Sequence, residues 1–148
     1  MNVPAFNEMT AERPALEDVT AAIKGLEKKL DGAKTPDDEI GILRDWEDQR
    51  RKLRTWSSLV GLRFNQDTRN ADARKDRDYR DQIQPKLTQL DNEMKAKFLN
   101  SPNREAFEKK FGPQAFALWN CDEKAFSPDI EDEQVRISKL SSEYTELL

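Results

Sequence analysis

A chain of 148 residues with 36% apolar and 36% charged side chains suits one domain with a lean core and a heavily charged surface. It holds no histidine and one cysteine, which excludes an imidazole base, a Ser-His or Cys-His pair, a disulfide framework and a closed Cys/His zinc site within the chain. A net charge of −4 gives no field to attract nucleic acid or an anionic membrane, and no apolar run approaches the roughly 20 residues that span a bilayer.

Met1 to Thr10 lack the basic start and apolar centre of a signal peptide, so a cytoplasmic location is expected. The first helix follows. Pro14 opens it, and Leu16, Val19, Ile23, Leu26 and Leu30 recur along one face at spacings of three and four until Asp31-Gly32 ends it. Thr35-Pro36-Asp37-Asp38 then supplies a cap, a first-turn proline and acids suited to the positive end of a helix dipole. The second helix is predicted from Pro36 to Phe64, with Leu43, Trp46, Leu53, Val60 and Phe64 in one stripe. Trp56 and Leu59 widen that stripe, so more than one neighbour is expected to cover it.

Asn65 to Asn70 reads as a turn, and a third helix over Ala71 to Leu99 buries Tyr79, Ile83, Leu87, Leu90, Met94 and Phe98. Pro85 lies inside it and predicts a kink or two abutting helices. Ser101-Pro102 starts a short helix with Ala106, Phe107 and Phe111 inward, and Gly112-Pro113 separates it from the next, which carries Phe116, Trp119 and a partly buried Cys121. Ser127-Pro128-Asp129 caps a last helix with Ile137, Leu140, Tyr144 and Leu147 on one face. The fold class is all-α, with five or six mostly antiparallel helices joined by short loops. Residues 1–12 are expected to be a flexible segment and residues 13–148 one helical domain. Because Tyr144, Leu147 and Leu148 continue the apolar stripe with no stop signal, the chain reads as part of a larger architecture.

Three clusters invite a site. Arg50-Arg51-Lys52-Leu53-Arg54 has the composition of a phosphate patch, but Asp45, Glu47 and Asp48 precede it at pairing distance on a helix, so a solvated face is expected. The interleaved charges from Arg69 to Asp81 have the same reading. Asp129, Glu131, Asp132 and Glu133 offer carboxylates for calcium, yet the sixth position of the loop counted from Asp129 is Gln134 where an EF-hand needs glycine. Acids in a first helical turn need no metal to explain them. Trp46, Trp56 and Trp119 read as core, and Cys121, flanked by Asp122 and Glu123, as an unreactive thiol. No catalytic, cofactor-binding or metal-binding residue is assigned in this chain.

Taken in order, Glu12-Arg13-Pro14, Asp67-Thr68, Pro85, Ser101-Pro102 with Phe111-Gly112, Phe126-Ser127-Pro128 and Leu140 with Ser142-Glu143-Tyr144 form a pattern. The chain in this respect resembles the amino-terminal helical region of the oligoendopeptidase F branch of the thimet-oligopeptidase family. The resemblance implies a zinc-dependent parent enzyme that admits short peptides to a long cleft. It implies that zinc is held by a downstream His-Glu-x-x-His helix and a glutamate, none of which can be carried onto a chain without histidine. The front helices would then form a wall or lid of the cleft, inert without the rest.

Two readings stay open at the level of sequence. One is this front portion of a zinc oligopeptidase, whose partners are a downstream catalytic domain in cis or in trans, and short peptides. The other is a stand-alone helical interaction module with no enzymatic activity. A copy of the chain docking through the last helix is compatible with either, and neither needs a nucleic acid or a membrane.

Overall fold

The computed structural model describes residues 9–125 and 131–147, without the side chains of residues 131, 132, 134, 142, 146 and 147. Among these residues lie six helices and no strand: α1 (Leu16–Gly32), α2 (Pro36–Gln66), α3 (Ala71–Leu99), α4 (Arg104–Phe111), α5 (Gln114–Ala125) and α6 (Glu131–Leu147). The fold is all-α, as the periodicity predicts. Short links fold α1, α2 and α3 back on one another, and α3 is the hub, packed against α1, α2, α5 and α6.

The helix ends follow from a few side chains. At the start of α2 the Asp38 N–H donates to Thr35 Oγ1 at 3.2 Å, and the Asp38 carboxylate accepts from the Thr35 N–H at 3.2 Å, a reciprocal capping box. The Thr35 hydroxyl also donates to that carboxylate and holds it below the ordinary aspartate range. At the start of α3 the Asn70 side-chain oxygen accepts from the Asp72 and Ala73 N–H groups, each at 3.0 Å. Pro85 does not divide α3, which is one element of 29 residues, about 43 Å long. The proline is buried, and packing on several sides of α3 offsets the roughly 3 kcal/mol that an interior proline costs.

The core has two joined parts. Val19, Ile23, Leu26 and Leu30 of α1 meet Ile40, Ile42, Trp56 and Val60 of α2 and Ile83, Leu87 and Leu90 of α3, giving the three long helices a common aliphatic centre. Beyond it stands an aromatic cluster. Trp46 stacks on Phe98 at 5.6 Å between ring centroids and meets Trp119 edge-on at 5.5 Å. Phe98 meets Phe107 at 5.9 Å, Phe107 meets Phe116 at 6.2 Å, and Phe116 meets Trp119 at 5.1 Å. This cluster fastens the two short helices α4 and α5 to the α2–α3 pair.

Polar joints hold the connections. Glu39, only 3% exposed, accepts from the Ser101 hydroxyl at 2.6 Å and from the Asn103 side-chain amide at 2.7 Å, which ties the α3–α4 corner to the first turn of α2. Ser101-Pro102 is thus a tertiary latch as well as a helix start, and α4 begins two residues after the proline. At the other end the Tyr79 hydroxyl donates to the Pro14 carbonyl at 2.8 Å, with the Arg13 guanidinium 3.8 Å above the Tyr79 ring. Arg63 donates to the Met9 carbonyl at 2.6 Å and fixes the segment before α1 on α2. Lys24 of α1 donates to Glu93 of α3 at 2.5 Å. Burial pushes the Glu93 carboxyl up, but the Lys24 and Gln89 hydrogen bonds outweigh it and leave it below the usual range.

Several sequence expectations are corrected. Phe111, expected inward, is 49% exposed, because an eight-residue helix offers one short face and Phe107 fills it. Cys121 is exposed, since five residues place it about 140° around α5 from the buried Phe116. Arg77 and Asp81 are buried within a run expected to be solvated; the Arg77 guanidinium covers the Phe64 ring at 4.2 Å. Ser127, Pro128, Asp129 and Leu148 lie outside the described residues, as do the side chains of Glu131, Asp132, Gln134 and Leu147.

Candidate functional site

Of the described surface, two regions carry enough chemistry to be considered. The first is a groove of about 520 Å³ between α2 and α3, closed at one end by α5. Its floor is Leu53, Trp56 and Leu87, and Arg50, Asp91 and Lys95 stand along its wall. Arg50 reaches Asp91 at 2.8 Å and also pairs with Glu47 one turn back on α2. Lys95, buried on α3, pairs with Asp91 at 2.7 Å and with Asp122 of α5 at 2.8 Å. The result is a continuous chain of alternating charge, Glu47, Arg50, Asp91, Lys95 and Asp122, that crosses three helices. Both cations of that chain, Arg50 and Lys95, are paired with carboxylates, and exposed Arg54 also lines the groove.

In the basic run on α2, Arg50 and Arg51 pair with carboxylates at Glu47, Asp48 and Asp91, in keeping with the self-paired face expected from sequence, while Lys52 and Arg54 are exposed. Farther along, Arg80 pairs with Asp81 at 2.7 Å and lies close to Gly61, where an added Cβ would sit 3.2 Å from its guanidinium. Lys95, Asn92 and Glu39 were not singled out by sequence reasoning. Polar residues on a helix read as surface unless the tertiary partners are known, and the α5 partner of Lys95 and the partners of Glu39 lie 27 and more than 60 positions away in the chain.

The second region is the outward side of α6. Ile137, Leu140 and Tyr144 are 65%, 54% and 64% exposed and share one face at spacings of three and four. Val135 and Ser138, on the opposite side, are half-buried, and α6 packs on α3. A helix normally turns its large apolar residues inward. This one presents Ile137, Leu140 and Tyr144 to solvent. Leu118 on α5 adds another apolar side chain, 58% exposed.

None of the features above pairs a nucleophile with a base. Among the described residues no three Cys, Asp or Glu side chains come together as metal ligands. The described residues therefore offer no ligand set for a zinc ion, and the side chains of Asp129, Glu131 and Asp132, in the acidic cluster that suggested calcium, lie outside the described residues. No helix among the described residues is long and apolar enough to cross a membrane.

Comparison with known proteins gives the geometry its context. No curated protein matches the chain. Among solved structures it superposes on PZ peptidase A with an inhibitor at a TM-score of 0.91 and 27% identity, over 95% of this chain and 25% of that one. A protein described as an oligoendopeptidase F matches with a TM-score of 0.91 at 27% identity, over 94% of this chain and 25% of that one. An oligoendopeptidase F from Bacillus anthracis str. Ames matches with a TM-score of 0.93 at 27% identity, over 97% of this chain and 26% of that one. The chain thus spans about a quarter of the length of each of these structures. The family model described as the peptidase M3 N-terminal domain matches residues 6–126, from the segment before α1 to the end of α5, and the chain belongs to that family.

Proposed function

We propose that this chain is the N-terminal helical portion of a zinc metallo-oligopeptidase that cleaves short peptides, forming a wall or lid of its cleft and having no peptidase activity by itself. The observation that carries this reading is the match of residues 6–126 to an M3 peptidase N-terminal domain, within structures about four times as long as the chain. The division of labour follows from residue content. Zinc would supply an activated water, and its ligands would belong to the catalytic portion, since this chain brings no histidine. What this chain brings is a stiff three-helix frame with a latch at each end, suited to positioning a surface. Its partners are the catalytic portion, in cis or in trans, and short peptides, and its location is the cytoplasm. With balanced charge it has no nucleic-acid or membrane partner.

The test uses purified chain, zinc and a fluorogenic peptide. The expected result is no cleavage that follows the chain through successive purification steps. Zinc-dependent cleavage that does follow it would overturn the division of labour. The coding sequence after Leu148 tests the parentage: a His-Glu-x-x-His helix downstream, or in a co-expressed partner, is expected. The outward apolar face of α6 also suits a second reading, a stand-alone interaction module, and a native stop with no peptidase partner would favour it.

A further inference from the structure

We propose that the outward face of α6, formed by Ile137, Leu140 and Tyr144, is the seam on which an apolar face of the catalytic portion docks, with α6 sandwiched between it and α3. The proposal rests on the peptidase reading above and names the surface by which that wall is held.

Two independent observations lead to it. The first is the orientation of α6. Its largest described apolar side chains are more than half exposed, while Val135 and Ser138, on the opposite side of the helix, are half-buried, and α6 packs on α3. Three apolar side chains in one row cost hydration free energy, on the order of 25 cal/mol per Å² left in water, and a row at this spacing matches the groove of a facing helix. The domain leaves more than half of each of these side chains in water.

The second observation is where α6 stands relative to the family and to the solved structures. The N-terminal domain model ends at residue 126, before α6 begins. The superpositions cover 94–97% of the chain, which leaves too few residues unmatched to omit the 17 of α6. So α6 has a counterpart in each of these peptidases, although it lies outside the N-terminal domain proper. Three quarters of each of those chains lies outside the superposed region, and that remainder supplies the occupant. A second copy of this chain seated on the same face is the alternative that the test below separates from this one.

Accessibility of a single thiol tests the seam. Cys121 is exposed, so Cys121→Ser provides the background. Leu140→Cys and, as a control on α1, Lys28→Cys are then compared by maleimide labelling in the 148-residue chain and in the polypeptide or complex that carries the zinc motif. Both thiols should label freely in the chain alone. In the complete enzyme the thiol at position 140 should label at least about tenfold more slowly, while the thiol at position 28 stays within about threefold. Equal labelling of position 140 in both states overturns the seam and leaves the peptidase reading intact. Protection of position 140 in the chain alone that grows with chain concentration assigns the face to a second copy and also overturns it. If no zinc-motif portion is encoded with this chain, the peptidase reading fails and the seam fails with it.

Discussion

Trp46 and Leu140 occupy the same kind of sequence position, a large apolar residue in a row spaced by threes and fours, yet one is 0% exposed and the other 54%. Trp46 is met by Phe98 from α3 and Trp119 from α5, with Arg50 of its own helix 4.7 Å over its ring. Leu140 and its neighbours Ile137 and Tyr144 stand on a helix whose other side is used for docking on α3. Periodicity announces that a helix has an apolar face. What covers that face depends on elements distant in the chain, and for α6 the cover proposed above is the catalytic portion.

The comparison is broken most forcefully at Trp46. Trp46→Ala removes the ring that joins α2 to both α3 and α5, and a loss of about 3–5 kcal/mol is expected for a fully buried tryptophan. Urea unfolding followed by far-ultraviolet circular dichroism measures it. The Trp46 indole N–H is buried and donates to no described protein group, so its removal breaks no hydrogen bond within the domain. A measured loss below about 1 kcal/mol would mean that the aromatic cluster does not fasten α4 and α5.

Glu39 gives the next largest effect. It is a buried carboxylate with two donors, and Glu39→Ala strands the Ser101 hydroxyl and the Asn103 amide in a half-buried corner. A loss of about 1–3 kcal/mol is expected in the same assay, with Glu39→Gln falling between the two because one acceptor remains. A Glu39→Ala variant as stable as the parent would show that the α3–α4 corner is held by Phe107 and its ring contacts alone.

These two residues also show how much was legible beforehand. Trp46 was readable, because Leu43, Trp46, Leu53 and Val60 keep a helical period and tryptophan in such a row belongs to a core. Helix ends were readable where a local side chain sets them, as at Thr35-Pro36 and Gly112, whose φ of +86° suits glycine. Glu39 was not. Within α2 it reads as one more acid in a first turn, and only the fold brings Ser101 and Asn103 to it. Lys95 is the same case. Two of the marks that carry the family resemblance are tertiary joints: Arg13-Pro14 docks on Tyr79, and Ser101 holds Glu39. A pattern can be recognised from such marks before their partners are known. Phe111 and Cys121 were misplaced because short helices turn only part of their apolar content inward, and nothing local says which part.

The smallest effect sharpens the comparison from the other side. Leu140→Ser in the 148-residue chain removes an apolar side chain that is already more than half in water, so little burial is lost. Serine is the poorer helix former, which costs about half a kcal/mol or less. The expected change in unfolding free energy is therefore within about 0.5 kcal/mol, against the several expected at Trp46. In the complete enzyme the same substitution would bury a hydroxyl and leave a gap at the seam, and a loss of about 2 kcal/mol or more in the docking of the two portions is expected. A large loss in the chain alone would mean that α6 already turns this face to a partner there, either its own helices or a second copy. One residue measured in two contexts thus separates a face that is finished within the domain from one that is completed by the rest of the enzyme.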